Sequence, residues 1–138
     1  MCIRDSNITV PTVALNSSGI DRVIAWAGAI FHAPHRGARE AGIASSGAYI
    51  SYYSFGSPAS RYGLFALQNV VAINDREVTS LDTLLDEIGA LEDRSPARLR
   101  IRIWNGRESV KTLKTDHRYW PASEFVRSNG QWQRRDLG

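Results

Sequence analysis

The strongest constraint in this 138-residue chain is one amphipathic helix with nothing helical to pack on. Leu81, Leu84, Leu85, Ile88 and Leu91 fall at i, i+3, i+4, i+7 and i+10, which places them on one helix face. Thr79 or Ser80 can cap its start, Asp82 suits the positive end of its dipole, and Pro96 lies beyond its end. A single apolar helix face must be buried against something. Most of the remaining apolar residues read as strands, so the expected class is α+β.

Arg98-Leu-Arg-Ile-Arg-Ile103 alternates strictly, with Leu99, Ile101 and Ile103 inward and Arg98, Arg100 and Arg102 outward. Asn105-Gly106 is a hairpin signal, and Glu108–Lys114 returns. A two-residue turn pairs Ile101 with Val110 and Leu99 with Thr112. That leaves Leu113 with the wrong parity, so a bulge or a longer turn is the other choice. Asn7–Leu15 reads as a strand with Pro11 at an edge or bulge, followed by a turn at residues 16–19. Arg22–Phe31 is a nearly unbroken apolar run and reads as one buried strand, with Gly28 marking a bulge or a close backbone approach. A short helix is expected within His32–Ile43, a strand at Gly47–Tyr53, and a turn and short helix from Phe55 through Pro58 to about Gly63. A short buried strand is expected at Asn69–Ile73, and a turn at Asn74-Asp-Arg76. The result is a small antiparallel barrel or sandwich of five to six strands, one well-formed helix and one or two short ones. Residues 1–7 are expected to be a disordered or fragment start, 8–115 the domain, and 116–138 a polar extension packed on or trailing from it. Tyr119, Trp120, Phe125 and Trp132 suggest that the extension packs on something.

With 43% hydrophobic and 22% charged residues, one core can form without a metal or disulfide staple, and the single Cys2 cannot form an internal disulfide. No apolar run approaches the roughly 18 residues of a membrane span. Met1–Asn7 lacks the basic start and apolar stretch of a signal peptide, so the compartment stays open. The formal charge of +3 is uneven. Residues 1–93 carry 6 Lys+Arg against 10 Asp+Glu, and residues 94–138 carry 11 against 4. A basic surface with Arg98, Arg100 and Arg102 could meet nucleic acid, but clustered charge alone is a weak signal, and only Trp104 lies near for base stacking.

Catalytic motifs are missing. Gly56-Ser57-Pro58 is not a nucleophile elbow, because proline after the serine removes a backbone donor that an oxyanion hole would use. His32 and His35 lack a third ligand for a metal site. Asp86-Glu87 and Glu92-Asp93 read as a solvated helix face, and no glycine spacing fits a nucleotide loop. No cofactor is expected. A sheet beside one apolar helix can instead bind by strand addition, in which a peptide pairs with an exposed edge and the helix supplies a pocket. Trp26-Ala-Gly-Ala-Ile-Phe31 and Leu81–Leu91 supply the two halves.

Gly47-Ala-Tyr-Ile, Gly56-Ser-Pro-Ala59, Tyr62-Gly-Leu64, Val70-Val-Ala-Ile-Asn74, Val78 and Leu81–Leu91, in that order, resemble the PDZ domains of HtrA/Deg serine proteases. Trp26-Ala-Gly28, Ala33-Pro-His-Arg36, Tyr119-Trp-Pro-Ala-Ser-Glu124 and Gly130-Gln-Trp132 are similar to the C-terminal PDZ-like region of the large, duplicated, fungal nuclear type. The resemblance covers about residues 8–135. It implies a non-catalytic module of a trypsin-like parent that binds C-terminal or extended peptides, or segments of unfolded proteins, in protein quality control. The implied partners are such peptides, the parent's protease domain, and further copies assembled through the parent, with no membrane partner; nucleic acid stays the lesser alternative that the basic surface leaves open. The implied peptide site is Trp26, Ala27, Gly28, Ala29, Ile30 and Phe31 beside Leu81, Leu84, Leu85 and Ile88. Two departures matter. Leu67-Gln68 stands where the family has Gly-Asp, and Ala27 and Ala29 replace bulky residues around Gly28. Small residues there imply a shallow groove, or one filled by the domain's own parts. The alternative is therefore a PDZ-like spacer or interaction domain with an occluded groove.

Overall fold

The computed structural model describes residues 4–14 and 19–137. It is α+β, as expected, but with a larger sheet. The strands are β1 Arg22–Trp26, β2 Ala29–His32, β3 Ala48–Tyr53, β4 Asn69–Ile73, β5 Arg76–Glu77, β6 Pro96–Arg102, β7 Glu108–Lys114, β8 Ser123–Ser128 and β9 Gln131–Asp136. The helices are α1 Arg36–Glu40, α2 Pro58–Tyr62 and α3 Leu81–Gly89. All strand pairs are antiparallel, in the order β7-β6-β4-β3-β2-β1-β8-β9, with β5 on β4. Among the described residues there are nine strands, against the five to six expected.

α3 is the helix that the leucine spacing demands. Ser80 caps it, accepting from the Thr83 amide at 3.3 Å, while the Thr83 hydroxyl accepts from the Ser80 amide at 3.1 Å. These two bonds satisfy amides that a helix start leaves unpaired. Leu81, Leu84 and Ile88 are buried, and Leu85 is half-buried at the margin. The face belongs to one core with residues of β1, β2, β3, β4, β6 and β7, among them Ile24, Phe31, Ile50, Ile73 and Leu99.

Parity set the β6–β7 turn. Ile101 pairs with Ser109 and Leu99 with Lys111, so the two-residue turn is replaced by a longer one closed by Ile103 N–H to Arg107 O at 3.0 Å. Leu113 then faces Ala97, and both are buried. α2 begins at Pro58, capped by Ser57, and ends at Gly63, whose φ of 85° is the left-handed conformation of a helix stop.

Two strand expectations are corrected. Residues 7–14 form no strand, and Ile8, Val10 and Val13 are 81%, 70% and 74% exposed; Leu15 and the turn residues 16–18 lie outside the described residues. β-forming residues without a ladder partner gain nothing from extension. Arg22–Phe31 is not one strand but two, because the chain reverses at Ala27-Gly28. No described helix is long and apolar enough to cross a membrane.

Candidate functional site

The reversal at Ala27-Gly28 decides what the expected peptide site looks like. Trp26 faces Ala29, and the two residues between them have φ of 54° and 81°. Two consecutive positive φ values make the tight hairpin turn whose twist matches flanking strands. β1 therefore folds back along β2, with Ile24 opposite Phe31 and Ala25 opposite Ile30. The other edge of β2 pairs with β3, Phe31 opposite Ile50, with a register shift between Ile30 and Phe31. The expectation of an open edge along Gly28–Phe31 is thus corrected. β1 lies there, antiparallel to β2.

The turn itself is enclosed. Ala27 O accepts from the Ala59 amide at 2.9 Å, and Gly28 O accepts from the Ser54 amide at 2.8 Å. Ser57, fully buried, packs beneath it, so a Cβ added at Gly28 would stand 2.1 Å from the Ser57 Cβ and 3.1 Å from the Trp120 ring. The Ser57 hydroxyl donates to Ser54 O at 2.6 Å and accepts from the Ser60 amide, the work of a helix cap. A cavity of about 170 Å³ remains beside the turn, lined by Ala25, Ile30, Tyr119, Trp120 and Pro121 among others. That is below the several hundred Å³ usual for a ligand pocket.

The expected pocket residues do come together, but as core. Trp26, Ala27, Ala29, Phe31, Leu81, Leu84 and Ile88 are all buried in one cluster, with the Trp26 and Phe31 rings 6.0 Å apart. Phe31 is buried in that cluster, whereas its neighbour Ile30 is half-buried and lines the small cavity beside the turn. Ile24 of β1 joins the same cluster.

Sequence reasoning missed the charges that hold β1. Arg22 bonds Asp82 at the start of α3 at 2.7 Å and Glu124 of β8 at 2.6 Å. Glu124 is 3% exposed and also bonds Arg135 of β9 at 2.5 Å. A buried carboxylate is tolerable only when so paired. Arg22→Met leaves Glu124 with one partner. The expected loss is about 2 kcal/mol in a urea titration, less than for a fully buried pair because Arg22 is partly solvated. A loss below about 0.5 kcal/mol, as for an exposed pair, would show that the contact does not anchor β1.

The two histidines have local roles. His35 caps α1, its Nδ1 accepting from the Ala38 amide at 3.1 Å. His32 is buried against Tyr49, and burial pushes its pKa below the ordinary value, helped by neighbouring His35. The outward arginines of β6 are paired, Arg98 with Asp75, and Arg100 and Arg102 with Glu108 at 3.5 and 2.6 Å.

Known proteins place this geometry. The PDZ-like domain family model matches residues 6–94. The chain is 34% identical to Protease Do-like 7 of Arabidopsis thaliana across 97% of its own length, and 30% identical to the pro-apoptotic serine protease NMA111 of Debaryomyces hansenii across 94%. It spans only 13% and 14% of those two proteins. The crystal structure of the HtrA3 PDZ domain bound to a phage-derived ligand superposes with a TM-score of 0.55 at 19% identity, covering 69% of this chain and 89% of that one. This likeness shows a shared fold. The chain belongs to the PDZ-like domain family and is homologous to the PDZ regions of HtrA/Deg-type serine proteases.

Proposed function

We propose that this chain is an interaction module of an HtrA/Deg-like serine protease whose strand-accepting edge is filled by the chain's own β1. It works through fixed contacts with other parts of the parent, its protease domain first among them, and performs no chemistry itself. The observation that carries this reading is the pairing of β2 on both sides, by β1 and β3. A free peptide must compete with a strand tethered through two residues, which has a far higher effective concentration. The buried Ser57, occupied as a helix cap, supports the non-catalytic part.

A second reading is peptide capture by strand addition at Trp26–Phe31, with Leu81, Leu84, Leu85 and Ile88 forming the pocket. The ligand in the HtrA3 PDZ structure favours it. The two readings separate in a titration of free and C-terminally amidated peptides followed by backbone amide shifts. With β1 in place, the amides of residues 26–31 should stay still for both forms. Micromolar binding that shifts those amides and is lost on amidation would overturn the self-filled reading. Peptidase activity that disappears in Ser57→Ala would overturn the non-catalytic one.

A further inference from the structure

The far end of the sheet is built differently from its middle. β8 and β9 form a ribbon extending beyond β1, and every residue of Gln131–Asp136 is exposed. Its turn, Asn129-Gly130, has φ of 50° and 76°, so Ser128 and Gln131 close the hairpin. In such a hairpin the closing pair exchanges both hydrogen bonds, and bonded pairs then alternate. Gln131, Gln133 and Arg135 therefore bond to β8. Trp132, Arg134 and Asp136 aim their amides and carbonyls at the open edge. No proline or bulge interrupts that edge, and its charges, Arg134, Arg135 and Asp136, are of both signs rather than a single repelling one. At the opposite end, Lys111 of β7 lies over Gly63 at the end of α2.

We propose that β9 is a homodimer interface, pairing antiparallel with β9 of a second copy to continue the sheet across a two-fold axis. An axis perpendicular to the sheet preserves faces, so paired residues must share a face. Three registers qualify. Centring on Arg134 sets two guanidinium groups opposite each other, which is repulsive. Centring on Trp132 overlaps less of the strand. Centring on Gln133 overlaps residues 131–135 of both strands, sets Gln133 against itself, Gln131 against Arg135, and Trp132 against Arg134. Trp132 and Arg134 are the residues with free amides, so the two symmetric pairs form about four inter-chain N–H···O bonds.

The side chains support the same register. Arg134 already lies over the Phe125 ring at 6.0 Å, and Arg127 is opposite Trp132 in the ribbon. Dimerisation brings Trp132 of the second copy to the other side of Arg134. The row then reads Phe125, Arg134, Trp132 and Arg127, alternating ring and cation across four strands, and the axis generates it twice. Cation–ring contacts of this kind are attractive. Trp132, 49% exposed, and Val126, 37% exposed, are apolar groups on a ribbon whose outer half is covered by no other described element.

The test uses this 138-residue chain. Sedimentation across a concentration series should show a monomer–dimer equilibrium. Gln133→Lys, which sets like charges against each other at the axis, should weaken dimerisation at least tenfold with an unchanged melting temperature. In a Cys2→Ser background, Gln133→Cys should cross-link under mild oxidation at least ten times faster than Gln131→Cys. Residues facing each other in a non-bonded antiparallel pair have Cα atoms about 4.5 Å apart, within disulfide reach. A chain monomeric at every concentration, or equal cross-linking from the two positions, would refute the interface. Both outcomes are independent of what fills the β2 edge.

Discussion

Gly28→Val strips the protein of much of its stability, with an expected fall in melting temperature of roughly 10–20 °C. Two effects add. A β-branched residue at φ of 81° is strained by about 1–2 kcal/mol. Its Cβ also falls 2.1 Å from that of Ser57, which is buried and fixed as the α2 cap, so neither side can yield without moving the hairpin away from α2. Overpacking of this kind adds about 1–3 kcal/mol. Gly19→Val is the matched control, because nothing lies within 4 Å of a Cβ there. If the two variants melt within about 3 °C of each other, the turn at Ala27-Gly28 is misplaced.

Trp26→Ala should destabilise by about 3–5 kcal/mol, read as a lower urea midpoint at unchanged slope. Trp26 is 1% exposed, at the centre of the contact between β1 and the residues that α3 covers. Trp26→Phe should lose less than about 2 kcal/mol, because the ring is largely kept. The indole Nε1 has no hydrogen-bond partner, so that exchange breaks no bond. Both variants delete Nε1–H, so the difference between them reports the volume lost from the core. A midpoint unmoved by alanine would mean that β1 is not part of the core.

How much of this was legible residue by residue follows from which signals are local. α3 and its cap were readable because leucine spacing and Ser80 are both local. The longer β6–β7 turn was readable because Leu113 had to face inward. The β1–β2 reversal was not, since alanine at positive φ contradicts its own preference and the apolar run continues on both sides. The packing of Ser57 and Trp120, distant in sequence, fixes that turn instead. The ribbon of β8 and β9 carried a usable signal in Asn129-Gly130. β9 is exposed throughout, however, and β8 from Val126 onward, so they lack the alternation that marks a half-buried strand. Glu124 reads as a surface acid until Arg22, 102 positions earlier, is set beside it.

The two-residue link between β1 and β2 also bears on how the chain acquires its fold. A hairpin closed by so short a loop forms in about 1–10 μs, whereas bringing α3 onto the sheet requires closing a loop many times longer. Synthesis delivers the strands first, because Trp26 and Phe31 leave the ribosome well before Leu81. β1 can therefore be seated on β2 while the helix that would wall the groove is still being made. On the self-filled reading proposed above, an assembled, empty groove is then never exposed to the segments of other unfolded proteins nearby.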